Sequence, residues 1–208
     1  MKREEKNQLT RRRIMDSALA EFSKQGYGAS SINTICAAED ISKGIVYHYF
    51  DTKDALFIAC VEECFRELTG YIRENMPAEG YSPEAKLKDY FVLRTAFFRQ
   101  RPVYQRIFCE AVVSPPEHLR QEIQAAKKDF DALNLRILED ILSGLPLRPD
   151  ISRAEVIETF RQFQDFVNIR SQMTPADARD FESREESCYK ALNILLYGVI
   201  EREVLKNG

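Results

Sequence analysis

The chain has no run of about 18 apolar residues, so no membrane-crossing helix is expected, and its opening residues, MKREEKNQLTRRR, hold no apolar leader core. A cytoplasmic protein without membrane contact is the expectation. Histidine is scarce: His48 and His118 are the two in 208 residues. Neither sits in a nucleophile–base or metal-binding pattern, so no catalytic residue, metal or cofactor is expected. The five cysteines (Cys36, Cys60, Cys64, Cys109, Cys188) are odd in number and in no zinc-type pairing. Cys60 and Cys64 lie four apart on one predicted helix, as two core-facing small residues or as a redox or thiophilic-metal site. Surplus positive charge is also missing, because the net charge is −3. Residues 1–54 carry +1, and any attraction to nucleic acid must come from local grouping of Lys2, Arg3, Lys6, Arg11, Arg12, Arg13, Lys43 and Lys53.

Period-two alternation is absent as well, and Gly and Pro fall between segments of helical periodicity. The expectation is an all-α chain. A first helix runs from Thr10, as N-cap, to Gln25; it buries Ile14, Ala18, Leu19 and Phe22 and is stopped by Gly26. A second spans Ser31–Ala38. After a Glu39-Asp40-Ile41 turn, Ser42 caps a third, with Ile41 and Val46 placed to form a hydrophobic staple. A fourth begins at Asp51 or Thr52 and continues to Asn75, burying Leu56, Cys60, Cys64 and Leu68. Longer helices are expected over 83–100, 102–113, 117–143, 152–171 and 183–205.

The stretch SSINTICAAEDISKGIVYHYFDTKDAL, Ser30 to Leu56, carries the functional signal. Two short helices joined by a tight turn suit a helix-turn-helix, whose second helix presents residues to the DNA major groove. Ser31, Ser42 and Thr52 stand near helix starts, where hydroxyls meet phosphate. Lys43 adds charge there, and Gly44 lets backbone approach a duplex closely. SKGIVYHYFDTKDAL resembles the DNA-binding signature of TetR/AcrR-type transcriptional regulators, close to AGVSKGTLYHYFxSKExL. GYGASSINTICAAE resembles that family's GxxxTTVxDIA segment. The resemblance implies a helix-turn-helix head over residues 1–53 and a larger effector-binding and dimerisation body over 54–208. It also implies phosphate contacts from Tyr47 and Lys53.

Two departures stand out. Glu39-Asp40 replaces the family's Ala-Gly in the turn, which Asp can tolerate because it accepts left-handed backbone. Ile45 replaces a Thr and offers an apolar face to a thymine methyl. The expected DNA-binding set is Ser31, Asn33, Ser42, Lys43, Gly44, Ile45, Tyr47, His48 and Lys53. With Lys43 as the third helix's one strong donor, specificity is expected from Lys43, Asn33, Ile45 and DNA shape.

For the body, the resemblance implies a ligand pocket and a dimer interface. Phe91, Phe98, Tyr104, Phe108, Phe130 and Phe163 are the candidate lining, and each also suits plain core packing. Arg94, Gln105 and Glu110 lie on the same helices and could orient a ligand. The last helix is apolar around its circumference, so it is either deeply buried or shared with a second copy. Phe160, Val167, Leu192, Leu195, Leu196 and Val199 are the expected interface, two helices from each chain. The reading is a homodimeric repressor on a pseudo-palindromic double-stranded operator, released by a small-molecule effector. The alternatives are a helical ligand-binding or scaffold protein with a degenerate head, and an all-helical enzyme.

Overall fold

The computed structural model describes residues 3–77, 82–173 and 181–200, with the side chains of 164, 165 and 167–173 left aside. The described residues form ten α-helices: α1 (Arg3–Ala29), α2 (Ile32–Ala38), α3 (Lys43–Tyr49), α4 (Lys53–Asn75), α5 (Pro83–Gln100), α6 (Val103–Val113), α7 (Arg120–Ala126), α8 (Lys128–Ser143), α9 (Arg153–Met173) and α10 (Phe181–Val199). One 3-10 turn, Glu117–Leu119, precedes α7. The chain is all-α, as expected. It packs into two units, Met1–Glu67 with Phe98–Asp129 and Leu68–Phe97 with Phe130–Gly208. The boundary expected after residue 53 therefore falls inside the first unit, through which α4 runs on unbroken.

In the first unit α1 starts earlier than expected. The Thr10 hydroxyl donates back to the Lys6 carbonyl at 2.9 Å, as a mid-helix threonine does, so it caps nothing. The stripe of Ile14, Ala18, Leu19 and Phe22 is buried. Gly26 kinks the helix at φ 80°, ψ 166°, and the chain makes one more turn to Ala29. No side chain enters that backbone region without strain.

α2 and α3 are seven residues each, too short to hold themselves in water. Their ends are fastened instead. Ser31 Oγ accepts the Thr34 N–H at 3.1 Å, Ser42 Oγ accepts that of Ile45 at 3.3 Å, and Thr52 Oγ1 does the same for Ala55 at 3.0 Å. Ile41 and Val46 are both buried, as a staple requires. Beyond them Leu56, Cys60, Cys64 and Leu68 on α4 are fully buried. Burial pushes both thiols up, so they stay protonated and pack as small apolar groups.

The helix expected over 117–143 is three pieces. At Lys127 (φ −91°, ψ 2°) the N–H reaches the carbonyls of both Ile123 and Ala125, and the helix steps. Neither Gly nor Pro marks this break; it falls just before the chain passes from one unit's core to the other's at Asp129. The terminal helix is α10, Phe181–Val199, and its expected extension to 205 lies outside the described residues.

The second unit is built around an ion pair. Arg94 on α5 and Glu185 on α10 are almost completely buried and 3.1 Å apart. Arg94 also donates to the Tyr90 hydroxyl at 3.2 Å, which in turn donates to Asn134 on α8 at 2.6 Å. Rings of Tyr90, Phe91 and Phe130 surround the guanidinium with centroids at 5.3, 5.6 and 5.8 Å. Burial works hardest against the Arg94 charge, but Glu185 and the Tyr90 hydroxyl together outweigh it, and the group is held charged. Glu185→Ala would strand that charge. It should lower the urea-unfolding free energy by about 3–5 kcal/mol, whereas an apolar Arg94→Met/Glu185→Leu pair should lose much less.

Candidate nucleic-acid interface

The helix expected to meet DNA is aimed by the turn before it. Asp40 has φ 50°, the one non-glycine residue with positive φ among the described residues. The Ile41 N–H then reaches back to the Cys36 carbonyl at 3.0 Å, closing a six-residue Schellman turn over two buried side chains. Aspartate thus does the work usually left to glycine. Its neighbour Glu39 is held from α1, where Arg13 donates to the Glu39 carbonyl at 2.7 Å and lies 3.4 Å from the carboxylate. The acidic pair is built into the turn.

The outward face of α3 holds Lys43, Gly44, Ile45, Tyr47 and His48, all exposed. Ile45 is 43% and Tyr47 47% accessible, so this face offers an apolar side chain and an aromatic ring outward. Asn33 is exposed on α2. The His48 ring stands edge-on to Tyr49 at 5.2 Å, and the Tyr49 hydroxyl donates to Asn7 at 3.3 Å. Ser31 and Ser42 have their oxygens engaged as caps.

Lys53 stands apart from the others. Its ammonium donates to the carbonyls of Tyr27 at 2.6 Å and Ser30 at 2.9 Å, and lies 4.3 Å from the Tyr27 ring centroid. Two of its three donors are thus spent inside the chain. Sequence reasoning read it as a phosphate contact and missed the clamp, since its partners are 23 and 26 residues away.

The arginine run is committed in the same way. The Arg11 guanidinium lies 5.2 Å from the Phe50 ring centroid. Arg12 pairs with Asp16 and with Glu63 on α4, the latter at 2.9 Å. Glu63 is a buried carboxylate and also accepts from the Tyr104 hydroxyl at 2.8 Å. No sequence signal singled it out.

A second cluster on this unit was not anticipated. The Tyr27 amide donates to the Glu110 carboxylate on α6 at 2.9 and 3.2 Å, and its hydroxyl donates to Asp54. That hydroxyl also lies 3.1 Å from His118 Nε2. Burial, then the bond to Asp54, pushes the Tyr27 hydroxyl up to about 12. Burial raises Glu110 too, against the pull of the Tyr27 N–H and Arg106. Glu110 was a candidate to orient an effector; it is occupied at the head instead.

The six candidate effector residues divide between the units. Phe98, Tyr104 and Phe108 belong to the first, where Phe98 and Phe108 pack with ring centroids 4.9 Å apart. Phe91, Phe130 and Phe163 belong to the second, where the first two flank Arg94. Of the expected dimer residues, Phe160 and Leu196 are already buried within the chain, Leu192, Leu195 and Val199 are half-buried, and the Val167 side chain lies outside the described residues. Among the described side chains, the large exposed apolar residues of α9 and α10 are Phe166, Ile194 and Tyr197, at 56, 71 and 47%. Among the described residues no helix is long and apolar enough to cross a membrane, and no group of three or more His, Cys, Asp or Glu could hold a metal ion.

Residues 14–60 match the family model of bacterial regulatory proteins of the tetR family. The HTH-type transcriptional regulator RutR of Escherichia coli (strain K12) is 23% identical over 192 residues, covering 91% of this chain and 90% of RutR. The negative transcriptional regulator IcaR of the Staphylococcus aureus (strain Newman) biofilm operon icaADBC is 29% identical over 105 residues, half of this chain and 55% of IcaR. The FadR regulator of Bacillus subtilis, solved with stearoyl-CoA, shares the fold: TM-score 0.66 at 19% identity, over 90% of this chain and 98% of that one.

The Lys53 clamp has a measurable signature. Lys53→Met should lower the urea-unfolding free energy of the DNA-free protein by about 2 kcal/mol through the two lost charged hydrogen bonds. An unchanged midpoint would assign Lys53 wholly to solvent or phosphate.

Proposed function

We propose that this chain, a regulatory protein of the tetR family and not an enzyme, is a homodimeric repressor whose head, residues 1–53, grips a pseudo-palindromic operator. The observation that carries the reading is α3 itself. A seven-residue helix is fastened by the Ser42 cap, the Ile41/Val46 staple and the Asp40 turn, and that fastening leaves Lys43, Gly44, Ile45, Tyr47 and His48 outward. Such outlay on a helix with little core of its own makes sense if the outward face has a partner. Ser31, Ser42 and the remaining donor of Lys53 meet phosphates, and Lys43, Asn33 and Ile45 meet bases. The acidic pair that argued for a degenerate head forms the Schellman turn and is steadied by Arg13, which supports an intact head.

Residues 54–208 serve effector binding and dimerisation. Phe166, Ile194 and Tyr197 extend the expected α9–α10 surface with Leu192, Leu195 and Val199, and a second copy covers it. Phe91 and Phe130, beside Arg94, are the aromatic residues best placed to feel a small-molecule effector, since a polar group in an apolar surround gives a ligand direction. Effector binding weakens the operator complex. The protein acts in the cytoplasm, where its DNA lies.

Two measurements test this reading. On a duplex from the chain's own upstream region, Lys43→Ala should weaken binding and reduce the slope of log K against log salt by about 1. Equal affinity for random and upstream duplexes would reject the reading. Leu195→Glu should convert dimers to monomers on a sizing column and abolish upstream binding; an unaltered dimer rejects the α9–α10 assignment.

A further inference from the structure

Tyr27, in the last turn of α1 just beyond the Gly26 kink, is held at each of its functional groups by the rest of the first unit. Lys53 takes its carbonyl and Asp54 its hydroxyl, both from the start of α4. Phe57 packs on its ring at a centroid distance of 4.9 Å. Its amide goes elsewhere, to Glu110 on α6. One turn earlier on α6, Arg106 donates to the carbonyls of Lys24 at 2.8 Å and Gln25 at 2.9 Å, just before the Gly26 kink. These are the groups a kinked helix leaves without intrahelical partners. α6 therefore grasps the end of α1 by both its donor and its acceptors.

The fit is close. A β-carbon on Gly26 would lie 2.3 Å from Glu110 Oε1 and 2.8 Å from Arg106 Nη2. Neither α6 side chain belongs to the DNA-facing set. Both hold the turn that ends at Ser31, the cap of α2, and α2 is the helix on which the Asp40 turn and α3 are built.

We propose that Glu110 is a positioning residue for DNA binding: by accepting the Tyr27 amide it sets the turn that carries α2 and α3 to the duplex. The proposal rests on the DNA-binding reading above.

The test uses the full chain, fluorescence anisotropy on the upstream duplex, and amide hydrogen exchange without DNA. Glu110→Ala should weaken binding roughly tenfold, the scale of one lost hydrogen bond to a charged group. It should speed exchange over Tyr27–Ala38 and leave α8 unchanged. Glu110→Gln keeps a carbonyl oxygen for the Tyr27 amide and should restore both affinity and protection. Wild-type affinity and protection in Glu110→Ala would overturn the proposal. So would equal loss in both variants, or loss of helicity in both, because either outcome makes the residue a charge or fold requirement. If the wild-type chain itself fails to distinguish upstream from random DNA, the DNA-binding reading falls first.

Discussion

A helix of seven residues cannot be stable by its own hydrogen bonds, and α3 is such a helix. Nearly every feature of the first unit answers that constraint. Ser42 and the Schellman turn at Asp40 fix where α3 begins, and Phe50, whose N–H returns to the Val46 carbonyl at 2.9 Å, fixes where it ends. Val46 alone among its residues is buried, so the rest of the surface stays free. What a longer helix would gain from its own length is here supplied by α1 and α2.

Local signals of this kind were legible in the sequence. Ser31, Ser42 and Thr52 are caps because a hydroxyl three residues before a free amide can reach it, and that depends on spacing alone. Asp40 could be read as tolerating left-handed backbone for the same reason. Thr10 misled, because a threonine within an already helical stretch turns back to its own carbonyls. The break at Lys127 carried no Gly or Pro and arises where one stretch of chain serves two cores. The contacts that spend charge were the hidden part. Lys53, Arg12, Glu63 and Glu110 find their partners 23 to 83 residues away, and no periodicity records such pairings.

The second unit follows a different logic. Its centre is a charged pair rather than a purely apolar contact, and replacing such a pair with apolar residues rarely costs stability. What the pair provides is direction. The hydrogen bonds from Arg94 to Tyr90 and Glu185, and from Tyr90 to Asn134, tie α5, α8 and α10 in one arrangement that apolar packing alone would not single out. Aromatic residues that the sequence offered as one candidate set are sorted by this arrangement, Phe91 and Phe130 to the guanidinium and Phe98 and Phe108 to each other.

The arginines of α1 have a kinetic consequence. Arg12 is paired with two carboxylates and Arg13 with Glu39, while Arg11 over Phe50 keeps its full charge, so the most basic run in the chain projects less field than its three charges suggest. Long-range attraction and binding to arbitrary DNA both scale with uncommitted positive charge. On the proposed reading, such a head would dwell only briefly on DNA that does not fit it. Its search would run on short visits, with a site held because it matches the shape of α3 and its flanks, after arrival rather than during approach.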